Sequence, residues 1–337
     1  MDVPTTPLTN GAAQTISEDE AALYDRQIRL WGFEAQQRMR NATICVINLR
    51  GVATETIKNI VLAGIGHLIV IDSNKITEED LGAGFFFRED EVGQNRVDVA
   101  RSRIQNLNPL VEVEAIAAVE SLEWDPLIQR IDLLCLTDGT RQDITRFNDL
   151  CRKHNKAFYS GGSYGLTGYI FCDLIVHEYL PTNRSAISTE QPRANKQRVV
   201  YPSFADALLH NWKHMTRKQA RHQNIDLVLY IMTLWLFQIQ HDTLPTDARQ
   251  IEGLISLSNS LIQSINIDSR ILQTSPEDLL RTLSLTAIHE FSPVCAVLGG
   301  FLGQDILKTL GGRDPSIANL FIFDGRTGSG NTCRLNM

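Results

Sequence analysis

Short apolar runs alternate with amphipathic stretches along most of the chain. The apolar runs include TICVINL (43–49), HLIVID (67–72) and IDLLCLT (131–137). Runs of this length and composition are typical of strands that are buried on both faces of a parallel sheet. The stretches between them repeat apolar residues about every 3.6 positions, which predicts helices. The pattern as a whole predicts an α/β fold with a doubly wound, mostly parallel sheet of the Rossmann type.

The pattern also divides the chain into segments. Residues 182–223 are locally basic and irregular, and the stretch after them has helical periodicity. A long apolar helix then begins after Pro293, and NLFIFDG is the last predicted strand. The predicted organisation is a disordered tail (1–16), an α/β domain (17–181 and 286–325), an inserted, mostly helical module (182–285) and a second tail (326–337). In the first helix, Ser17 and Glu20 form a capping box, and the helix is expected to end near Gly32.

Composition narrows the classes of partner. The 337 residues carry a formal net charge of -7, with 43% hydrophobic and 21% charged residues. A globular protein with this charge is expected to bind neither nucleic acid nor a membrane surface. The six cysteines include no C-x-x-C pair, so neither a metal site nor a disulfide framework is expected. The apolar stretch 225–239 is too short to span a bilayer, and an intracellular location follows from these features.

The loop after the first predicted strand has lost most of the glycines of a nucleotide-binding loop. Such loops need glycine because the backbone turns tightly and approaches a phosphate at a helix N-terminus. Here Asn48, Arg50 and Ala53 surround a single Gly51. Three interpretations stay open: a loop that binds nothing, an Arg50 that pairs with an anion, and an unorthodox nucleotide site. Asp72 ends the second strand as a ribose-binding acid would, but a nucleotide-dependent dehydrogenase is poorly supported.

Several segments resemble one family in sequence and in order. LYDRQIRLWG (23–32), TETIKNIVLAGIGHLIVID (54–72) and VGQNRVDVARSRIQNLNP (92–109) are similar to the activating enzymes for ubiquitin-like proteins, which are built on the ThiF/MoeB adenylation fold. The resemblance covers about 20–180 and 286–325.

The chain departs from the active members of this family at the positions that hold ATP. The segment 79–84 has no Arg or Gln, and the family lysine in the next helix corresponds to Arg96. The metal-binding aspartate corresponds to Asp138 or Gly139, with the register open. The module 182–285 contains no cysteine, so it offers no nucleophile for a thioester. With these departures, the chain resembles the small, non-catalytic subunits of heterodimeric SUMO-activating enzymes.

The resemblance implies partners and roles. The expected partners are a large catalytic subunit, SUMO and, indirectly, the SUMO-conjugating enzyme. The large subunit would bind ATP and Mg, and this chain would bind neither. The expected location is the nucleus, with the cytoplasm as a second compartment. Arg26 would reach in trans into the partner's ATP site, with Arg29 as a second candidate. Tyr24, Ile28 and Trp31, like their neighbour Leu30, would contact the partner. The alternatives are a Nedd-type small subunit, a self-sufficient homodimeric adenylating enzyme and a structural scaffold in which Arg26 has no role.

Overall fold

A computed structural model describes residues 15–180 and 196–337, so most of the predicted N-terminal tail and the predicted start of the insertion at 182 lie outside the described residues. The helices are α1 (Glu18–Leu23), α2 (Asp25–Trp31), α3 (Phe33–Arg40), α4 (Gly51–Leu62), α5 (Asp80–Ala83), α6 (Arg96–Leu107), α7 (Trp124–Arg130), α8 (Arg141–Lys153), α9 (Phe204–Leu208), α10 (Arg217–Gln223), α11 (Ile225–His241), α12 (Ile251–Ser264), α13 (Pro276–Leu283) and α14 (Ser292–Gly311). The strands are β1 (Thr43–Ile47), β2 (His67–Ile71), β3 (Glu112–Ile116), β4 (Leu133–Thr137), β5 (Ala157–Tyr164), β6 (Thr167–Asp173), β7 (Val176–Tyr179), β8 (Gln197–Val200), β9 (Leu320–Asp324) and β10 (Ser329–Cys333).

Eight of these strands form one sheet in the order β10-β9-β6-β5-β4-β1-β2-β3. Strands β1 to β5 pair in parallel, and β6, β9 and β10 extend the sheet in antiparallel fashion. Alternate residues of β1 face opposite cores: Ile44 and Val46 on one side, Cys45 and Ile47 on the other. The predicted α/β fold with a doubly wound, mostly parallel sheet is confirmed.

Helices α4 and α14 pack closely against each other on one face of the sheet. Gly299 and Gly303 of α14 lie directly against α4, where their lack of a side chain permits the close approach. Helix α14 is long and apolar enough to cross a membrane, but 56% of its apolar window is buried inside the protein. This burial is that of a core helix.

The helical region after the gap packs on the opposite face of the sheet. Trp235 of α11 contacts Phe204 of α9 with ring centroids 5.3 Å apart, and Phe204 contacts Phe171 of β6 at 5.0 Å. These three rings belong to one buried cluster that also includes β4 and α8. The predicted inserted module therefore shares its core with the sheet.

The N-terminal helices follow the predicted capping signal with one difference. The Ser17 side chain accepts from the Glu20 amide, and Glu20 accepts from the Ser17 amide, so the capping box is confirmed. The single helix expected from there to Gly32 is wrong, because Tyr24 leaves helical geometry and separates α1 from α2. The cause is visible in the packing, since Tyr24 turns inward and its ring lies against Gly64.

The C-terminal segment is part of the sheet. The prediction of a tail over 326–337, with 319–325 as the final strand, is wrong, because β10 pairs antiparallel with β9. The sequence of β10, SGNTC, is polar because this strand is an exposed edge, and only Cys333 is buried. An edge strand of this kind lacks the apolar run that predicts a central strand.

Candidate functional site

The strand order reverses at β1, which has β2 on one side and β4 on the other. In open α/β sheets, ligands bind in the crevice beyond the carboxyl ends of the strands at such a point. Asn48 and Asp138 directly follow β1 and β4, and both have positive φ, at 66° and 48°. The Asn48 side chain donates to the Thr137 carbonyl at 2.8 Å and ties the two strand ends together.

The chain's own side chains fill this crevice. The Gly51 amide, at the start of α4, donates to Glu290 Oε1 at 2.9 Å. Arg50 Nε lies 3.6 Å from Glu290 Oε2, so the guanidinium and the carboxylate form an ion pair. Of the interpretations left open for the loop, an Arg50 that faces an anion is the one the geometry matches, and the anion is internal. Ala53 is buried in the core behind it.

The position of a ribose-binding acid is also taken. Asp72 is buried and accepts from the Leu49 amide and from the Asn74 backbone and side-chain nitrogens, each at 2.8 Å. Arg96 Nη1 lies 3.2 Å from Asp72, and Arg96 Nη2 lies 2.9 Å from Asp80. The residue at the family's lysine position is therefore neutralised by two carboxylates. Neither Asp72 nor Arg96 is left free for a nucleotide.

Two carboxyl groups of the crevice compete for one guanidinium. Asp138 accepts from the Ser163 amide at 3.3 Å and interacts with Arg50. Burial raises the pKa of Asp138, and Arg50 opposes the rise. Burial and the Asp138 carboxylate raise the pKa of Glu290 to about 7, against the lowering effects of Arg50 and the Gly51 amide. Two buried carboxyl groups beside one cation hold a proton near neutral pH.

The stability of the chain should therefore depend on the Glu290 proton. Because the pKa of Glu290 is raised in the folded chain to about 7, the stability linked to it is complete below pH 4.5 and is lost as the pH rises to 7. Glu290→Gln carries no titrating group there, so it should lose about 2 kcal/mol less stability between pH 5 and pH 8 than the wild type. Denaturant unfolding at both pH values measures this difference.

A matched loss of stability in the two proteins would contradict the assignment. The groups that face Glu290 are Arg50 at the start of α4, Asp138 after β4, Asp80 of α5 and Cys295 of α14. All of them remain in Glu290→Gln, so the comparison removes one carboxyl group of the pair while Asp138 stays beside Arg50.

Helix α2 presents the predicted basic residues to solvent. Arg26 is exposed and makes no hydrogen bond or ion pair with any residue in the described part of the chain. Arg29 is also exposed, but its Nε lies 2.9 Å from Asp25 in an i,i+4 pair. The two arginines therefore differ: Arg29 is neutralised within its own helix, and Arg26 is available to another molecule.

The predicted contact residues of this segment divide into two groups. Tyr24 is only 3% exposed, and its hydroxyl accepts from the Asn108 side chain at 2.8 Å. The prediction that Tyr24 contacts a partner is wrong, because its ring anchors α2 to this chain. Ile28 and Trp31 are half-buried, and Trp31 donates to Gln36 at 3.1 Å.

Three strongly exposed apolar side chains lie in α2 and in the helices on either side of it. Leu30 is 65% exposed and Phe33 50%, and Leu23 is similarly open. Leu30 is among the residues expected from the sequence, whereas Leu23 and Phe33 are not. Both are missed because an apolar residue in an amphipathic helix is ordinarily assigned to the core.

Cysteine chemistry is suppressed throughout the chain. All six cysteines are buried and unpaired. Burial raises the pKa of the Cys135, Cys151, Cys295 and Cys333 thiols to about 12. Thiolate is the nucleophilic form, so none of these thiols is prepared to attack an acyl group.

The sequence matches one protein-family model over most of its length. That model, described as the ThiF family, covers residues 24–337. This chain belongs to the ThiF family. The match runs from the residue before α2 to the C-terminus, and so includes the helical region and β10.

Relatives in the ThiF family match nearly the whole chain. SUMO-activating enzyme subunit 1 of Homo sapiens is 34% identical over 94% of this chain and 95% of that protein. The protein of the same name from Xenopus tropicalis is 33% identical over 94% and 95%. That from Dictyostelium discoideum is 31% identical over 96% and 97%.

Two solved structures share the ThiF family fold at low sequence identity. MccB of E. coli, solved with succinimide, aligns over 93% of this chain and 71% of its own with a TM-score of 0.54 and 14% identity. PaaA aligns over 96% and 86% with a TM-score of 0.58 and 16% identity. At these identities the likeness concerns the fold alone.

Proposed function

We propose that this chain is the non-catalytic subunit of a heterodimeric SUMO-activating enzyme. In this role it supports adenylation of the SUMO C-terminus on a large partner subunit, whose cysteine then takes the acyl group. The SUMO-conjugating enzyme would act on the product and meet this chain only indirectly. The names of its relatives favour SUMO over a Nedd-type modifier.

The observation that carries the proposal is the crevice at the carboxyl ends of β1 and β4. Glu290 accepts the Gly51 amide that would face a phosphate, and Arg50 pairs with the same carboxylate. Asp72 and Arg96 are engaged with each other. A chain built in this way is suited to contribute surface and charge to an adenylation reaction rather than to hold its nucleotide.

ATP and Mg are assigned to the partner subunit for the same reason. Mg²⁺ prefers carboxylate and phosphate oxygens around it, with little competing positive charge. The family's metal-binding position corresponds to Asp138 or Gly139. Asp138 is the one of the two with a carboxylate, and it faces Arg50 in this chain. A guanidinium beside that carboxylate opposes a cation. The residues present do not fit a metal–nucleotide complex, and no step of the proposed reaction passes through this crevice.

Arg26 is the residue proposed to act in trans. Adenylation joins the modifier's C-terminal carboxylate to the α-phosphorus of ATP and expels pyrophosphate, so negative charge develops on the phosphate oxygens. A guanidinium stays charged at all physiological pH values and donates two parallel hydrogen bonds to such oxygens. Arg26 is exposed and unpaired among the described residues, so placing it against phosphate breaks no ion pair within this chain.

The surface that would carry Arg26 to the partner is partly apolar. Leu30 lies four residues after Arg26 on α2 and is exposed, and Phe33 at the start of α3 is exposed as well. On α14, Phe301 is 51% exposed even though its ring stacks on Phe321 at 4.9 Å. Exposed aromatic and aliphatic side chains of this size are typical anchors of stable heterodimers. We assign the surface of α2 and the start of α3 to the large subunit, and Phe301 is a further exposed aromatic residue for the same kind of contact.

The nucleus, with the cytoplasm as a second compartment, is the proposed location. Arg217, Lys218 and Arg221 lie on α10, and all three are exposed. A short basic run of this kind is compatible with nuclear import and equally with an ordinary solvated helix face.

ATP–pyrophosphate exchange tests the proposal. The isolated chain with SUMO should give no exchange above background, because it cannot position ATP. Adding the large subunit should produce exchange that depends on SUMO, and titration should saturate at equal amounts of the two subunits.

Exchange by this chain alone would instead favour the self-sufficient homodimeric enzyme. Full exchange by the large subunit alone would leave this chain without a role in adenylation. Equal exchange with a Nedd-type modifier and its large subunit would point to the other small-subunit class.

A further inference from the structure

Helix α2, which carries Arg26, has little packing of its own. It spans seven residues, all within the described part of the chain, and none of them is buried. A helix this short is not stable by itself, because most helical stability in proteins comes from the packing of an apolar face. A cation that stabilises a transition state must nevertheless be held in a fixed geometry before the reaction. Contacts at the two ends of α2 must therefore supply its position.

The N-terminal end of α2 is anchored to the end of α4 through Asn108. Tyr24, the N-cap of α2, is buried, and its hydroxyl accepts from Asn108 Nδ2 at 2.8 Å. The same Nδ2 donates to the Val61 carbonyl of α4, also at 2.8 Å. Asn108 is buried as well, so both donors of its amide are used away from water. The Tyr24 ring lies against Gly64, where any side chain would overlap it.

The C-terminal end of α2 is anchored to the same place through Gln36. Trp31, the last residue of α2, donates from Nε1 to Gln36 Oε1 at 3.1 Å. Gln36 is fully buried and donates from Nε2 to the Ala63 carbonyl, at the C-cap of α4, at 2.8 Å. The last carbonyls of a helix lack a partner in the next turn, so they can accept from side chains. Two buried amides thus join the carbonyl end of α4 to one aromatic residue at each end of α2.

We propose that Asn108 and Gln36 are positioning residues for the trans-acting arginine, which hold α2 on the carbonyl end of α4 so that Arg26 projects from a fixed support. Helix α4 is suited to this because most of its residues are buried between the sheet and α14. Both amides are buried within this chain, so their effect on the reaction passes through Arg26. The inference rests on the proposed function of Arg26.

The kinetics of ATP–pyrophosphate exchange in the assembled heterodimer test the proposal. Tyr24→Phe removes only the hydroxyl that Asn108 binds, and it should lower kcat about 3- to 10-fold with the KM for ATP nearly unchanged. Asn108→Ala removes the whole link and should lower kcat by about 10- to 30-fold. The matched control is Gln105→Ala, which removes an amide of α6 that donates to the Val111 carbonyl at 2.6 Å within its own segment. This control should leave kcat unchanged.

A double-mutant cycle with Arg26 separates positioning from a general loss of stability. Because Asn108 acts through Arg26, Asn108→Ala should cause less than about a twofold further loss in a chain that already carries Arg26→Ala. Gln36→Ala should behave in the same way. Losses that multiply in the double variants, or a raised KM for ATP with kcat unchanged, would overturn the inference. Wild-type exchange in Arg26→Ala alone is a separate result, because it removes the role of Arg26 and with it any need to position that residue.

Hydrogen exchange of the isolated chain decides the matter if Asn108→Ala does not assemble with the large subunit. Tyr24→Phe keeps the buried ring, and it should speed exchange of the Ile28 and Gly32 amides of the α2 segment by about 5-fold. The amides of α14 should exchange at the wild-type rate. Equal protection of Ile28 and Gly32 in the wild type and in Tyr24→Phe would show that the link to Asn108 does not hold α2, which contradicts the proposal.

Discussion

Replacing Arg26 by alanine in the assembled heterodimer should lower ATP–pyrophosphate exchange by about 10²- to 10³-fold. Arg26 is exposed on α2 and has no partner in the described part of this chain, so its removal leaves the fold intact. The loss is expected because a preorganised cation stabilises charge on the phosphate oxygens, and water cannot replace its geometry. Exchange measured with SUMO and a saturating large subunit gives the result.

Matched variants separate this role from a general loss of charge. Arg26→Lys keeps the charge but not the two parallel donors, so its exchange should fall between that of the wild type and that of alanine. Arg29→Ala should have a smaller effect than Arg26→Ala, because Arg29 is paired with Asp25. Arg101→Ala removes an exposed cation of α6 and should leave exchange unchanged. Wild-type exchange in Arg26→Ala, with the heterodimer intact by size-exclusion chromatography, would remove the assigned role.

Replacing Gly299 by alanine should destabilise the isolated chain by about 2 to 3 kcal/mol. A Cβ at this position would lie 2.9 Å from both the Thr56 amide nitrogen and the Val52 carbonyl oxygen of α4, and it would also overlap Glu55 Cβ. Backbone atoms cannot rotate away as a side chain can. The two helices would therefore have to separate, with loss of packing along their whole contact.

The neighbouring glycine is the control for this substitution. A Cβ at Gly300 would meet nothing within 4 Å. Gly300→Ala should therefore stabilise the chain by about 0.5 to 1 kcal/mol through helix propensity alone. Thermal and denaturant unfolding of both variants compares them under the same conditions. Equal effects of the two substitutions would show that α4 and α14 are not in close contact.

The central sheet could be predicted because its signal is local. Strands β1, β2 and β4 are short apolar runs, and a helix follows each of them. The antiparallel edge could not be predicted in full. Strand β10 is polar and exposed, so no hydrophobic pattern reveals it, and its position depends on pairing with β9.

The sequence indicates that the Tyr24 ring is buried, but it does not indicate which chain buries it. Tyr24 lies in a motif with several apolar residues, and either a partner or this chain could have buried its ring. Only the contacts with Gly64 and Asn108 show that the ring faces inward. The sequence offers no signal that separates these two outcomes, because an aromatic ring gains from burial in both.

The sequence predicts one part of the filled crevice, the loop around Gly51, but not the contact that Glu290 makes with it. The missing glycines around Gly51 and the long side chain of Arg50 indicate a disabled nucleotide loop. Glu290 gives no such indication, since it is a single acidic residue between His289 and Phe291 in a segment without a motif. Its role depends on a contact across most of the chain, which only the tertiary fold reveals.

The central claim is that this chain contributes Arg26 to a nucleotide site that belongs to another subunit. The most direct measurement is a structure of the assembled heterodimer with ATP and Mg. We expect one ATP per heterodimer in the large subunit, with the Arg26 guanidinium within hydrogen-bond distance of a phosphate oxygen and Glu290 still bound to the Gly51 amide. ATP in the crevice beside Arg50, or an Arg26 that lies far from any phosphate, would contradict the account.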